Sequence, residues 1–191
     1  YEQIEALRDA IPGAVINEGP DRGEAAGALF SGDGAYRYAI WRKWAEGPTC
    51  AWIKHNPSKA SGKRSDMTFT SAVDRARRWG YGAVLMVNLA AYVATDPSDL
   101  RLAKVPVGPY NRMAIDLALG QAQVMVGWGN LPPGRPLLDI MLTEVGHVML
   151  EARKREVSLW CLGKNANGTP KHLLSRGKGR IPKDAQPERW R

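Results

Sequence analysis

The chain has 191 residues and a formal net charge of +8, and its sequence pI is near 9.7. This length is typical of a single domain, predicted here over 1–191, which can bury a hydrophobic core without disulfides or a structural metal. No segment has the roughly 18 consecutive apolar residues of a membrane-spanning helix, so we expect no membrane partner. The positive charge favours a polyanionic partner such as nucleic acid.

The cysteines indicate a reducing compartment. Cys50 and Cys161 each lie in an apolar run. Free cysteines in such runs pack as small apolar side chains, so we expect two buried thiols and no disulfide framework. This favours a cytoplasmic protein, which we also expect to be a monomer.

The N-terminal residues 1–34 are predicted to be a lead-in to the domain. Ile4, Leu7 and Ile11 recur at helical spacing, which predicts a short amphipathic helix over 2–11. The segment that follows is rich in glycine and acidic residues and is expected to be irregular.

Apolar and aromatic runs predict the strands. Tyr36 to Trp41 alternates and is rich in aromatic residues, which is typical of an edge strand. Four more apolar runs predict central strands over 50–54, 83–87, 123–128 and 157–162. Between them, helical spacing predicts three helices, at Phe69 to Trp79, over about ten residues from near Pro109, and from Pro136 onward. This alternation predicts an α/β fold, a three-layer sandwich with a mostly parallel four-stranded central sheet.

Polar residues follow each central strand at the point where it ends. In strand order they are His55-Asn56-Pro57-Ser58, Asn88, Trp128-Gly129, and the loop 163–172 that ends on His172. Ligands of parallel sheets bind outside the carboxyl ends of the strands, so we expect these groups to converge on one pocket. Two alternatives stay open: Asn88 could only cap its strand, and His172 could be an exposed loop residue.

A metal site is not expected. Glu144 and His147 have the spacing of a helical ligand pair, but the sequence has no second such pair and no Cys/His cluster. It also lacks a phosphate-binding P-loop, a dinucleotide fingerprint and a nucleophile elbow. We therefore predict no cofactor.

The C-terminal segment 163–191 concentrates the positive charge. It contains eight basic and two acidic residues and so carries +6 of the net +8. We expect contacts to DNA phosphates from Lys171, Arg176, Lys178 and Arg180. Gly177, Gly179 and Trp190 are expected to form a loop that approaches the phosphate backbone closely. The alternative is a solvated tail that only aids solubility.

Several short motifs resemble those of an uncharacterised family of bacterial and phage proteins. They are Tyr36-Arg37-Tyr38, Asn56-Pro57-Ser58, Arg77-Arg78-Trp79-Gly80-Tyr81-Gly82, Val87-Asn88-Leu89, Ala94-Thr95-Asp96-Pro97, Trp128-Gly129 and Leu162-Gly163. The resemblance covers about residues 35–175. The chain departs from the family in one respect: members usually have proline after the last histidine, where this chain has Leu173.

The order of the polar strand ends is also similar, more distantly, to that of the uracil-DNA glycosylase superfamily. There, a residue before a proline after the first strand positions the hydrolytic water, and Asn56 matches it. An asparagine after the second strand reads the pairing edge of a flipped base, and Asn88 matches it. Trp128-Gly129 matches a Trp-Gly pair on the third strand.

A late loop of that superfamily brings a histidine to the leaving base, and the next residue enters the DNA stack. His172 matches the histidine, with Leu173 or Leu174 as the residue that enters the stack. Asn56 can orient water but cannot act as a base, because an amide does not titrate. This predicts either slow hydrolysis or help from Asp66.

The remaining candidates for contacts to the base are His55, Trp128 and Ser58. The resemblance implies a monofunctional DNA glycosylase that uses no cofactor and acts on a modified or damaged pyrimidine flipped out of double-stranded DNA. Occurrence of the family in bacteria and phages points to a hypermodified phage base, such as glucosylated cytosine, and so to an antiviral enzyme. Two other functions stay open: a non-catalytic module that binds nucleic acid or a modified nucleotide, and a hydrolase or transferase acting on free nucleotides.

Overall fold

The computed structural model describes residues 2–19, 23–57, 66–94 and 97–191. Its α-helices are α1 (Glu2–Ala10), α2 (Met67–Arg78), α3 (Asn111–Leu119) and α4 (Leu137–Lys154). Its strands are β1 (Val15–Glu18), β2 (Ala25–Phe30), β3 (Arg37–Lys43), β4 (Thr49–Lys54), β5 (Ala83–Asn88), β6 (Gln123–Val126), β7 (Leu159–Cys161) and β8 (Glu188–Arg189). Short 3₁₀ helices span Pro97–Leu102 and Gly177–Gly179. Ser58 lies outside the described residues.

The strands form one mixed sheet of eight, in the order β1-β2-β3-β5-β4-β6-β7-β8. Strand β4 is parallel to β5 and β6, and β6 is parallel to β7. The α/β class is therefore confirmed, and the four central strands are the four predicted apolar runs. The predicted width was wrong, because antiparallel strands extend this parallel centre on both sides.

The prediction of an irregular segment after α1 was wrong. Strands β1 and β2 pair as an antiparallel hairpin, and β2 pairs in turn with β3. The first four residues of β2 are alanine or glycine, which have little strand propensity, so most of its sequence lacks the usual signal. Gly27 has a packing role there: a Cβ at this position would lie 2.1 Å from Cζ2 of the Trp41 ring.

The aromatic strand β3 is interior to the sheet rather than at its edge. It is hydrogen-bonded to β2 on one side and to β5 on the other, and its first six residues are buried. The prediction of an edge strand was wrong because the neighbour that covers it, β2, was not recognised.

Helices cover both faces of the sheet. Ala51 and Ile53 of β4 pack with the apolar residues of α1, α3 and α4, whereas Cys50 and Trp52 pack with those of α2. Both cysteines are free and buried, as predicted. No helix in the described part of the chain is long and apolar enough to cross a membrane.

The connections reverse direction at the centre of the sheet. Helix α2 leads from β4 to β5 on one side, and α3 then leads back across β4 to β6 on its other side. Strand ends at such a reversal leave a crevice between them, because the connecting chains depart in opposite directions. This topology predicts a ligand site at the carboxyl ends of β4 and β6.

The C-terminal segment packs on the domain. Strand β8 pairs with β7, and the Trp190 ring lies edge-on to Trp128, with 5.0 Å between the ring centroids. Trp190 is buried, so the prediction that it approaches DNA phosphates was wrong. Buried Arg75 of α2 donates hydrogen bonds to the carbonyls of Pro182, at 2.9 Å, and Lys183, at 3.1 Å. These contacts hold the basic segment against α2.

Candidate functional site

A cavity of about 710 Å³ opens at the carboxyl ends of β4, β5 and β6. It brings together six of the predicted site residues: His55, Asn56, Asp66, Asn88, Trp128 and His172. The expected convergence of the polar strand ends is therefore confirmed. It follows from the parallel strands, whose carboxyl ends share one edge of the sheet.

Asn88 is the last residue of β5 and is 1% exposed. The side chain of Asn111 on α3 holds its backbone in place, with Nδ2 donating to the carbonyl of Asn88 at 2.8 Å and to that of Leu89 at 3.0 Å. Nδ2 of Asn88 itself has no hydrogen-bond partner among the described residues. A buried polar group without a partner is costly, so this amide is positioned to bind an acceptor atom of a ligand.

His172 is held in one orientation by its own loop. Its Nδ1 accepts the backbone N–H of Leu174 at 3.1 Å, so the proton of the neutral ring is on Nε2. Burial, with the nearby Lys54 and His55, lowers the pKa of His172 to about 4. The loop that carries His172 packs closely against Gly129. A Cβ at Gly129, where φ is +76°, would lie 3.2 Å from Cβ of His172. At neutral pH this residue is an uncharged hydrogen-bond donor.

His55 follows β4 directly and is the second neutral histidine of the cavity. Burial lowers its pKa to about 4, and the charge of Lys54 adds to the effect. Its Nε2 is buried without a hydrogen-bond partner in the described part of the structure. This nitrogen is therefore available to a ligand in the cavity.

Asn56 and Asp66 also line the cavity. Nδ2 of Asn56 donates to the carbonyl of Pro57 at 3.2 Å, so its Oδ1 is the atom that remains for a water or a ligand. Asp66 caps the N-terminus of α2, where its Oδ1 accepts the Phe69 N–H at 2.7 Å. The cap gives Asp66 a structural role, and its help to Asn56 stays a prediction.

Two buried cationic residues of the cavity were not predicted. Lys54 is 3% exposed and donates to the carbonyl of Gly127, while Arg37 is 2% exposed at the start of β3. Burial lowers the pKa of Lys54 to about 7 and that of Arg37 to about 10, although Asp66 opposes both shifts. In the sequence, Lys54 could have been recognised as a charged residue at the end of an otherwise apolar run. Its place in the sequence by itself indicates no more than the end of a strand.

The predicted DNA-contacting residues divide into two groups. Arg176, Lys178 and Arg180 are exposed and Lys171 is half-buried, so all four can reach solvent. Leu173 is only 4% exposed and packs in the core beneath α2, so the prediction that it enters the DNA stack was wrong. Its side chain points to the core because Ile181 and α2 cover that side of the loop.

A basic groove runs from the cavity along α2. It consists of two adjoining concave surfaces that share Met67 and Arg75, and the first of them also shares Asp66 with the cavity. Its exposed basic residues are Arg78, Arg176, Arg180 and Lys183. Four large apolar side chains line this groove: Met67 is exposed and Leu174 is half-buried, whereas Leu173 and Ile181 are buried.

A protein family model matches residues 37–174, which is more than half of the chain, and its description is protein of unknown function, DUF1643. The chain belongs to this family. The resemblance to an uncharacterised family is thus confirmed. Every residue that lines the cavity lies within the family's range, whereas α1, β1, β2 and β8 lie outside it. Comparison with the curated proteins and with the solved structures gave no match.

Proposed function

We propose that the protein is a DNA glycosylase that hydrolyses the N-glycosidic bond of a modified pyrimidine flipped into the cavity. The observation that carries the proposal is the buried amide of Asn88, whose Nδ2 has no partner among the described residues. A carboxamide places a donor and an acceptor side by side, the pattern that pairs with the edge of a pyrimidine. The motif order shared with the uracil-DNA glycosylase superfamily supports the same role.

The protonation state of His172 suits departure of the base. When the bond from C1′ to the base breaks, its electron pair goes to the base, and donors near the base carbonyls stabilise the negative charge. A neutral His172 with its proton on Nε2 supplies such a donor. Oδ1 of Asn56 would hold the water that adds to C1′ as the base leaves.

The size of the cavity supports a modified base. Its volume of about 710 Å³ lies within the range of roughly 300–1,000 Å³ typical of pockets for drug-sized ligands. This is more room than a bare pyrimidine ring requires, so a bulky substituent such as the glucose of glucosylated cytosine can be accommodated. Activity on such DNA would make the protein an antiviral enzyme.

The basic groove supports binding of double-stranded DNA beside the cavity. Its exposed cations would contact phosphates, which contribute most of the sequence-independent affinity of DNA-binding proteins. Flipping a nucleotide costs a few kcal/mol, which phosphate contacts and an inserted side chain offset. With Leu173 in the core, Leu174 takes over the role of the inserted residue, and exposed Met67 lies on the same groove.

The test is a direct assay of base release. Purified protein is incubated with glucosylated and unglucosylated phage DNA and with uracil-containing duplexes, and free base and abasic sites are measured. We expect release from at least one of these DNAs. DNA binding without release from any of them would instead support a non-catalytic binding module. Cleavage of free nucleotides with no action on duplexes would support a nucleotide hydrolase or transferase.

Replacing Asn88 with alanine tests the observation that carries the proposal. Loss of one buried donor at a developing negative charge lowers the rate by about 10²-fold or more. We therefore expect Asn88→Ala to reduce single-turnover base release at least that much. Asn17→Ala in β1, outside the cavity, is the matched control and should leave the rate unchanged. Equal rates for the two variants would contradict a base-reading role for Asn88.

A further inference from the structure

Lys54 lies in the wall of the cavity at the centre of the sheet edge. It pairs in register with Asn88 of β5, and paired residues on neighbouring strands place their side chains on the same face of the sheet. Its Nζ donates one hydrogen bond to the carbonyl of Gly127, beyond the end of β6, and lies 6.0 Å from the Trp52 ring centroid. The ammonium has three N–H donors, so two remain for other acceptors.

The described residues around Lys54 carry little negative charge. The titratable and charged residues that line the same cavity are Arg37, His55, Asp66, Arg101 and His172. Asp66 is the one carboxylate among them, and its attraction is smaller than the effect of burial on Lys54. A buried ammonium whose desolvation exceeds the attraction of nearby carboxylates is expensive to maintain, which marks Lys54 as a candidate for ligand chemistry.

We propose that Lys54 is a catalytic residue whose ammonium stabilises the negative charge that develops on the departing base. This inference rests on the glycosylase function proposed above. In the step concerned, the bond from C1′ to the base nitrogen breaks with both electrons going to the base. Water oxygen then bonds to C1′, and the proton that water loses passes to solvent or to the departed base. Lys54 contributes charge and a hydrogen bond and is regenerated unchanged.

Position distinguishes Lys54 from the other donors of the site. Asn88 and neutral His172 offer dipoles, whereas protonated Lys54 offers a full positive charge next to Asn88. A charge held in place on the protein stabilises a developing anion more strongly than a neutral donor does. The sheet fixes that charge in place, because Lys54 is a strand residue on a rigid element.

The pH profile of the wild-type protein follows from this role. The pKa of Lys54 in the free protein is about 7, so the charged and active form is lost as the pH rises above that value. The quantity kcat/KM reports groups of the free enzyme, so it should fall by about tenfold for each further pH unit. Below pH 7 the ammonium is present, and Lys54 imposes no further dependence.

The experiment compares Lys54→Met with wild type on the phage or uracil-containing duplex from which wild type releases base. Methionine keeps the length of the side chain and removes the charge. We expect single-turnover release to fall by roughly 10²–10³-fold and the loss of activity above pH 7 to disappear. A fluorinated base, whose anion is more stable, should recover part of the lost rate. Lys154→Met, exposed on α4, is the matched control and should behave as wild type.

The outcomes separate the two proposals. If wild type releases base and Lys54→Met does so at the wild-type rate, the role of Lys54 is wrong while the glycosylase function stands. A wild-type kcat/KM that stays constant from pH 7 to pH 9 would overturn it as well, and that measurement needs no variant. If wild type releases no base from any duplex, the glycosylase function is wrong and the role of Lys54 is excluded with it.

Discussion

His55 and His172 link the chemistry of the cavity to the acid stability of the protein. Burial lowers the pKa of each to about 4, while both titrate near 6.5 in the unfolded chain. The unfolded state therefore binds more protons as the pH falls from 6.5 towards 4. Above pH 6.5 the two histidines are neutral in both states and make the free energy of unfolding no more dependent on pH. Below pH 6.5 they lower the free energy of unfolding increasingly as the pH falls.

We expect His172→Gln to reduce this acid sensitivity. The free energy of unfolding, measured with urea and tryptophan fluorescence, should drop less between pH 7.5 and pH 4.5 in the variant than in wild type. The measurement at pH 7.5 is the internal control, because there the histidine is neutral in both states. Parallel losses in the two proteins would show that His172 is charged in the folded state at low pH.

Strand β2 was not predicted from the sequence, and its packing can be tested by substituting Gly27. A Cβ at Gly27 would overlap the buried Trp41 ring, so that ring or the strand must shift. We expect Gly27→Ala to lower the free energy of unfolding by about 1–3 kcal/mol, the typical cost of overpacking. Gly146 is exposed on α4 with no atom within 4 Å of an added Cβ, and Gly146→Ala should instead stabilise by about 0.5–1 kcal/mol.

Denaturant unfolding of both variants measures whether the free energy of unfolding falls for Gly27→Ala and rises for Gly146→Ala. If Gly27→Ala were neutral or stabilising, β2 would not be packed on Trp41 as described. The reason why the sequence failed here is physical: strand propensity resides in branched and aromatic side chains, and β2 is held mainly by its pairing with β3. Helix α4 was easier to predict, because eighteen residues at helical spacing follow Pro136.

At the scale of the whole molecule, the basic groove and the cavity are expected to act together on one duplex. Affinity for DNA should depend on salt with a logarithmic slope of about 0.9 for each phosphate contacted. We expect Arg176→Gln with Arg180→Gln to reduce that slope by about 2. The control pair, Arg153→Gln with Lys154→Gln, lies exposed at the end of α4 and should leave the slope unchanged.

Fluorescence anisotropy with a labelled duplex at several salt concentrations measures these slopes. If the groove pair and the control pair behave alike, the groove does not contact phosphates.

The concentration of positive charge in 163–191 was visible in the sequence, but the arrangement of these residues in space was not. Arg75 attaches the segment to α2, and this contact helps to place Arg176 and Arg180 on the groove.

The sequence by itself determined the α/β class and the meeting of Asn56, Asn88 and His172 in one cavity. Apolar runs mark buried strands, and parallel strands end at one edge, so polar residues that follow them must converge there. Only the tertiary structure decided which buried cationic residues line the same cavity. Lys54 and Arg37 lie in strands, and the neighbours of a strand are set by pairing between distant parts of the chain.

The same reason accounts for Leu173 and Leu174. The two leucines are the central residues of a turn closed by the Ser175 N–H, which donates to the carbonyl of His172 at 2.9 Å. Leu173 is buried under α2, whereas Leu174 is partly exposed on the groove. Composition cannot distinguish them, because the two residues are identical. The choice depends on what packs against the loop, and that is a property of the folded molecule alone.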